Sequence, residues 1–226
     1  MRHAKFVLLP IASMLFSVSV FAQEGHKPEF FLGYTNLQAQ GLPDQNSVTG
    51  FGSNFFNNRT TLHGFGTEGT AFLADAFGIT GSFSFNENNL SDVTANESDS
   101  LKTDIFYFMG GPTVRIGHSS RLQPFARFLA GGAHVRFDAT SELTTFAGNL
   151  TNSFKTGTTD FALGAGGGLD WRVGESLKVR LFQVDYAPVF LSNQSINILT
   201  QAGAIEPFAL NGQRMDNVRF SFGIVF

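Results

Sequence analysis

Along the last ten residues, Val218, Phe220, Phe222, Ile224 and Phe226 are apolar and alternate with Asn217, Arg219, Ser221, Gly223 and Val225. A period of two places these sets on opposite faces of a β-strand. The same division recurs at 76–86, where Phe77, Ile79, Phe83 and Phe85 oppose Ala76, Gly78, Thr80, Ser82, Ser84 and Asn86. At 158–172, Phe161, Leu163, Ala165, Leu169 and Trp171 oppose Ala162, Gly164, Gly166, Gly168, Asp170 and Arg172. In a soluble protein the apolar face turns inward; in a membrane barrel it turns to lipid and the polar face to the lumen. Small and charged residues share one face here, as a filled lumen requires.

Eight strand-like segments follow, near 29–38, 61–73, 76–86, 101–116, 121–138, 158–172, 177–190 and 214–226. The links between them are long (39–60), short (74–75), long (87–100), short (117–120), long (139–157), short (173–176) and long (191–213). Short turns on one side and long loops on the other are the pattern of outer-membrane barrels, and an even strand count leaves both termini on the short-turn side. The expected fold is all-β, an eight-stranded antiparallel up-and-down transmembrane β-barrel.

Two segments break simple alternation. A lipid-facing Arg costs about 2–4 kcal/mol at mid-bilayer, so Arg127 is expected in the lumen. Val135 and Phe137 share its parity yet look lipid-facing, which predicts a bulge near Gly131-Gly132. In the seventh segment, inward Gln183 and Asp185 send Arg180 outward, to snorkel toward headgroups.

Composition narrows the picture further. The 226 residues include 27 Phe and 25 Gly but only 15% charged residues. Arg2, His3 and Lys5 precede an apolar run from Phe6 to Phe21, then Val20-Phe21-Ala22. This reads as a secretory signal peptide over 1–22, cleaved after Ala22, leaving a barrel domain over 23–226. Loss of Arg2 and Lys5 leaves 13 Lys+Arg against 18 Asp+Glu, so there is no basic excess to suggest nucleic acid. The chain has no cysteine, which removes disulfides and thiolate chemistry.

In order along the chain stand Leu62-His63-Gly64-Phe65, Phe77-Gly78-Ile79-Thr80-Gly81, Phe108-Met109-Gly110-Gly111-Pro112 and Gln123-Pro124-Phe125-Ala126. Gly131-Gly132-Ala133-His134, Leu163-Gly164-Ala165-Gly166-Gly167-Gly168-Leu169-Asp170 and Gln183-Val184-Asp185-Tyr186 follow, before the terminal strand. In these motifs the chain resembles the OmpA/OmpX-type outer-membrane β-barrel superfamily, in particular the outer membrane protein β-barrel domain group. The resemblance implies a Gram-negative outer-membrane location, contact with outer-membrane lipid, and a monomer. It also implies that Phe226, with Phe222 and Ile224, forms a signal read by the barrel-assembly machinery.

Catalytic chemistry is not evident. Lipid A-modifying barrels need a nucleophile or base set toward lipid at the outer rim. His63 and His134 lie near outer strand ends without a matching Ser and carboxylate. His118, Ser119 and Ser120 sit in a short turn, at the wrong end for outer-leaflet lipid. The acidic stretch Glu87, Asp92, Glu97 and Asp99 matches no calcium-loop spacing. No metal and no cofactor are expected. Inward charges from five strands, Glu68, Arg115, Arg127, Asp170 and Arg219, are expected to pair within the lumen, with Glu68 or Asp170 as partner of Arg219. Eight strands leave an interior only wide enough for side chains, so a plug is expected. The expected role is structural or adhesion-like surface interaction with an unknown extracellular ligand, Phe51, Phe55 and Phe56 being candidate loop contacts. A narrow ion-conducting pore and a lipid A-modifying enzyme are the alternatives.

Overall fold

A computed structural model describes residues 28–40, 59–93, 97–117, 120–145, 148–192, 194–199, 205–210 and 214–226. The expected signal peptide over 1–22 and the loop residues Phe51, Phe55 and Phe56 lie outside the described residues. The strands are β1 (Glu29–Gln40), β2 (Arg59–Phe72), β3 (Phe77–Val93), β4 (Glu97–Arg115), β5 (Leu122–Thr145) and β6 (Gly148–Arg172). They continue with β7 (Lys178–Tyr186), β8 (Val189–Phe190), β9 (Gln194–Leu199), β10 (Ile205–Leu210), β11 (Arg214–Met215) and β12 (Val218–Val225). Each of β1 to β6 pairs antiparallel with the next, β6 with β7 and β8, β7 with β12, and β12 with β1. The wall therefore closes on eight strands, β7 being prolonged by β8 and β12 preceded by β11. The β9–β10 hairpin forms its own two-stranded sheet.

The stagger of the closed wall follows from the register. Tyr34 leads through Phe65, Phe85, Phe106 and His134 to Thr159 on β6. In the other direction it leads through Phe222 and the Leu181–Phe182 step to Leu169, ten residues away on the same strand. Such a stagger obliges the strands to tilt. From Phe77 to Phe85 the outward series of β3 rises about 26 Å along the strand at roughly 3.3 Å per residue. A tilt of about 35–45° brings that to roughly 20 Å, close to the apolar height of an outer membrane.

The terminal strand carries the parity expected of it. Phe220, Phe222 and Ile224 are exposed, whereas Arg219, Ser221 and Val225 are buried. Phe83, Phe108, Phe128, Phe161 and Phe190 are likewise exposed and belong to the outer face. The start of β1 meets the end of the terminal strand at the short-turn side, where Phe30 and Phe226 exchange backbone hydrogen bonds of 2.8 and 2.9 Å.

Three expectations are corrected. First, no bulge interrupts Gly131-Gly132: Gly131 faces Ala162 and Gly132 faces Phe161 in unbroken register. Val135 is fully buried and Phe137 packs against the inner apolar cluster, because the upper lumen is itself apolar. Second, the bulge lies in β7, where the register shifts opposite both neighbours. Leu181 and Phe182 both face out, so Arg180 and Lys178 turn inward together with Gln183 and Asp185. Arg180 is a lumen residue. Third, the links at 87–100 and 139–157 are largely ladder. β3–β4 pairing continues to Val93–Ser98 and β5–β6 pairing to Thr145–Gly148. By contrast β2 leaves β3 above His63–Glu87, and the upper pairing of β6 with β7 and β8 ends at Phe161–Phe190. A four-stranded sheet of β3 to β6 thus projects beyond the barrel.

Candidate functional site

The inward residues form layers. Nearest the short turns, Glu29 accepts from Arg115 at 2.7 Å and from Lys178 at 2.5 Å, and Arg115 also donates to Gln123 at 3.2 Å. The next layer is centred on two carboxylates. Glu68 takes Arg127 at 2.5 Å, Arg180 at 2.6 Å and Gln183 at 3.3 Å. Asp185 takes Arg127 through Nε and Nη2, Arg219 through Nη2 at 3.0 Å, and Gln183 at 2.7 Å. Asp170 receives Nε of Arg180 at 2.8 Å.

Arginine suits this interior because its planar fork spreads donors over several carboxylates and its faces stack on rings. Arg180 lies between Phe31 and Phe125, 4.3 and 4.4 Å from the two ring centroids. Arg115 covers Phe72 at 3.7 Å. The described lumen pairs join five cations, Arg115, Arg127, Lys178, Arg180 and Arg219, to four carboxylates, Glu29, Glu68, Asp170 and Asp185. Every carboxylate except Asp170 therefore serves at least two cations. A cavity of about 20 Å³ remains beside Glu68, Arg115, Arg127, Asp170 and Arg180, room for about one water.

All five charges expected in the lumen lie inside, but Arg219 pairs with Asp185 rather than Glu68 or Asp170. Sequence reasoning placed Asp185 inward without assigning it a partner, and missed Glu29, Lys178 and Arg180. Alternation through Gln183 and Asp185 was the available signal for Asp185.

A polar step follows. Arg219 donates to Ser84 at 2.8 Å, Asn86 to Thr35 at 2.7 Å, and Asn217 to the hydroxyl of Tyr107 at 2.6 Å. Tyr107 in turn donates to the carbonyl of Ala187 at 3.0 Å. Beyond it the lumen is filled by Leu37, Leu62, Ile105, Val135, Val189 and Met215. An apolar layer above an ion-paired layer leaves no hydrated path through the described interior.

The outer rim carries a second constellation. Both histidines face outward. His63 Nδ1 receives the hydroxyl of Tyr34, with Asn36 Nδ2 at 3.5 Å, and His134 Nδ1 lies 2.8 Å from the hydroxyl of Thr159. Lys102 reaches Glu87 at 3.1 Å and Asp104 at 3.7 Å. The Glu87 hydrogen bond, with the charges of Asp104 and Glu87, raises Lys102 above the ordinary lysine value. Among the described residues no three His, Asp or Glu side chains are grouped to hold a metal ion. No phosphate cradle forms at 164–168 either, since that run lies within β6.

No family model matches the chain, and no curated protein matches it. Solved structures do. The attachment invasion locus protein Ail of Yersinia pestis, in complex with the heparin analogue sucrose octasulfate, superposes with a TM-score of 0.50 at 14% identity, over 88% of this chain and 97% of that one. A major outer membrane protein from Thermus thermophilus superposes with a TM-score of 0.52 at 8% identity, over 89% and 99%. At these identities the likeness establishes the fold. The chain shares with these outer-membrane proteins a closed eight-stranded antiparallel β-barrel, here with an apolar exterior and a filled lumen.

Proposed function

We propose that this outer-membrane barrel is a plugged, non-conducting surface protein whose role is adhesion-like contact through its extracellular face. The observation that carries the reading is the sheet of β3 to β6, whose ladders run on past the departure of β2 and of β7–β8. A barrel needed only to span the membrane has no use for that extra ladder. A projecting sheet offers polar side chains on a backbone stiffer than a loop. The filled lumen supports the same reading, because side chains occupy the space that a transport path would need.

Ail, of like fold, was solved with a sulfated heparin analogue. This chain has 18 Asp+Glu against 15 Lys+Arg, so its overall charge does not favour a polyanion, and an uncharged glycan or a protein fits better. The protein is read as non-enzymatic. His63 Nδ1 is engaged by Tyr34 and Asn36, not by a carboxylate that would orient it as a base.

The test is to shorten the sheet by replacing 90–101 and 139–154 with two-residue Asn-Gly turns, which leaves the cross-strand pairs Asn89–Lys102 and Asp138–Lys155 as flanks. Attachment of cells displaying either form to arrayed glycans and matrix proteins is then compared. The shortened barrel should keep its migration shift on heating and lose attachment. Attachment equal to the full-length protein would remove the sheet as the contact surface.

A further inference from the structure

Above the pair formed by His63 and Glu87 the barrel wall divides. β2 stays with β1 as far as Arg59–Gln40, and β3 stays with β4 as far as Val93–Ser98, but β2 and β3 no longer pair. A side chain bridges the split, Asn88 donating to the carbonyl of Thr61 at 2.7 Å. Outside the bridge lies a groove of about 600 Å³, whose lining includes Tyr34, His63, Glu87, Asn89 and Lys102. That is the size of a small-molecule site.

Its depth follows from the outward series on each strand. Directly across the ladders stand Phe65, Phe85 and Phe106, with ring centroids 5.9 Å apart for the first pair and 4.7 Å for the second. Two residues further along the same strands the outward positions are His63, Glu87 and Asp104. Here the exterior changes from phenylalanine to charge. The groove therefore opens sideways, at the level of lipid headgroups, above an aromatic surface suited to acyl chains.

Its chemistry is mixed and dense. The Tyr34 hydroxyl and, at 3.5 Å, the Asn36 amide meet His63 at Nδ1, which leaves Nε2 free of these contacts. Asn36 in turn accepts from Gln38 Nε2 at 2.6 Å. Lys102 lies between Glu87 and Asp104, and Glu87 remains half exposed. Asp104 is buried, and its Oδ1 has no hydrogen-bond partner. Two carboxylates repel a bare phosphate. Carboxylate and amide acceptors beside an aromatic ring suit a polyhydroxylated sugar, and a lysine and an imidazole N–H suit a phosphate attached to it.

We propose that this groove binds the phosphorylated-sugar headgroup of an outer-leaflet glycolipid. Sugar hydroxyls meet Glu87 and Asn89, the phosphate meets Lys102 and His63 Nε2, and acyl chains descend over Phe65 and Phe85. The site is separable from the surface role proposed above, since it lies at the foot of the projecting sheet, below the segments removed in the shortened barrel.

Native mass spectrometry of the detergent-solubilised protein, titrated with lipid A, with its deacylated disaccharide phosphate, or with phosphatidylglycerol, provides the test. Lipid A should bind, and the other two should bind at least about tenfold more weakly. The Glu87→Gln, Asn89→Ala double variant and His63→Ala should each lose about tenfold in lipid A affinity, while Lys155→Ala binds as wild type. All variants should keep the migration shift on heating, which separates lost binding from lost fold. Unchanged lipid A binding in both groove variants would overturn the site. Equal binding of the deacylated sugar would overturn the lipid as its source, and equal binding of phosphatidylglycerol would overturn the sugar.

Discussion

Arg127 on β5 grips Asp185 on β7 with two parallel hydrogen bonds, Nε to Oδ1 at 3.0 Å and Nη2 to Oδ2 at 2.6 Å. The same carboxylate serves Arg219, so Asp185 is shared by two buried guanidinium groups. Asp185→Asn leaves both facing a neutral amide, and breaking a buried pair costs about 3–5 kcal/mol. Asp170→Asn should cost less, because Arg180 retains Glu68 at 2.6 Å. Urea unfolding in phospholipid vesicles reads both variants. The opposite ranking would show that Asp185 is not the centre of the network.

The outward pair Leu181 and Phe182 is what turns Arg180 and Lys178 inward. Deleting Leu181 removes the bulge yet leaves Lys178, Arg180, Gln183 and Asp185 on one face in strict alternation, with Val179, Phe182 and Val184 on the other. The cations stay inward, so their pairs with Glu29, Glu68 and Asp170 are retained. The deletion variant should therefore keep the heat-shifted folded band. Loss of that band would show that the bulge itself, and not the parity it sets, is needed to close the wall.

How far the fold could be read from the sequence depended on which residues carried a periodic signal. β3 was legible because Phe77 to Phe85 alternate with glycine, serine and threonine, and two faces of different polarity fix parity. The β7 bulge was not, since one inserted apolar residue between Arg180 and Gln183 leaves no compositional trace. Val135 and Phe137 misled for another reason: apolar side chains fit both lipid and the upper lumen, so polarity alone does not assign their face. The projecting ladders were hidden because 139–157 is rich in Thr, Ser and Asn, which reads as loop until cross-strand pairing is seen. In the ion network, single charges were readable from parity, but partners depend on neighbours across the barrel, which only closure brings together.

The apolar layer around Leu37, Leu62, Ile105 and Val135 should keep the barrel electrically silent. Planar bilayers holding the wild-type protein in molar potassium chloride are expected to show no reproducible single-channel steps. Steps of constant size would contradict the plug directly.

Gly33 and Gly223 face each other across the β1–β12 seam, and the Phe31 ring lies over both. A Cβ on Gly33 would stand 2.5 Å from the ring and 2.3 Å from the Phe222 carbonyl oxygen. Phe31 is also one of the two rings that sandwich Arg180. Gly33→Ala therefore forces the ring off the guanidinium, and overpacking of this kind costs about 1–3 kcal/mol. The vesicle-based urea midpoint should fall accordingly. A midpoint within error of wild type would show that the seam yields without disturbing Phe31.

Phe226 combines two contacts at the end of the chain: its backbone pairs with Phe30 in both directions, and its ring lies 6.2 Å from that of Phe30. The ring is more than half exposed, so its removal takes away little buried surface. If Phe226, with Phe222 and Ile224, is the signal read by the assembly machinery, Phe226→Ala should separate two measurements. Folding of purified protein into vesicles should change by less than about 1 kcal/mol, as expected of a surface substitution. Insertion into the outer membrane of living cells should drop several-fold, with unfolded chain accumulating in the periplasm. Equal losses in both assays would assign Phe226 to anchoring of the β1–β12 closure, and equal retention in both would remove it from assembly altogether.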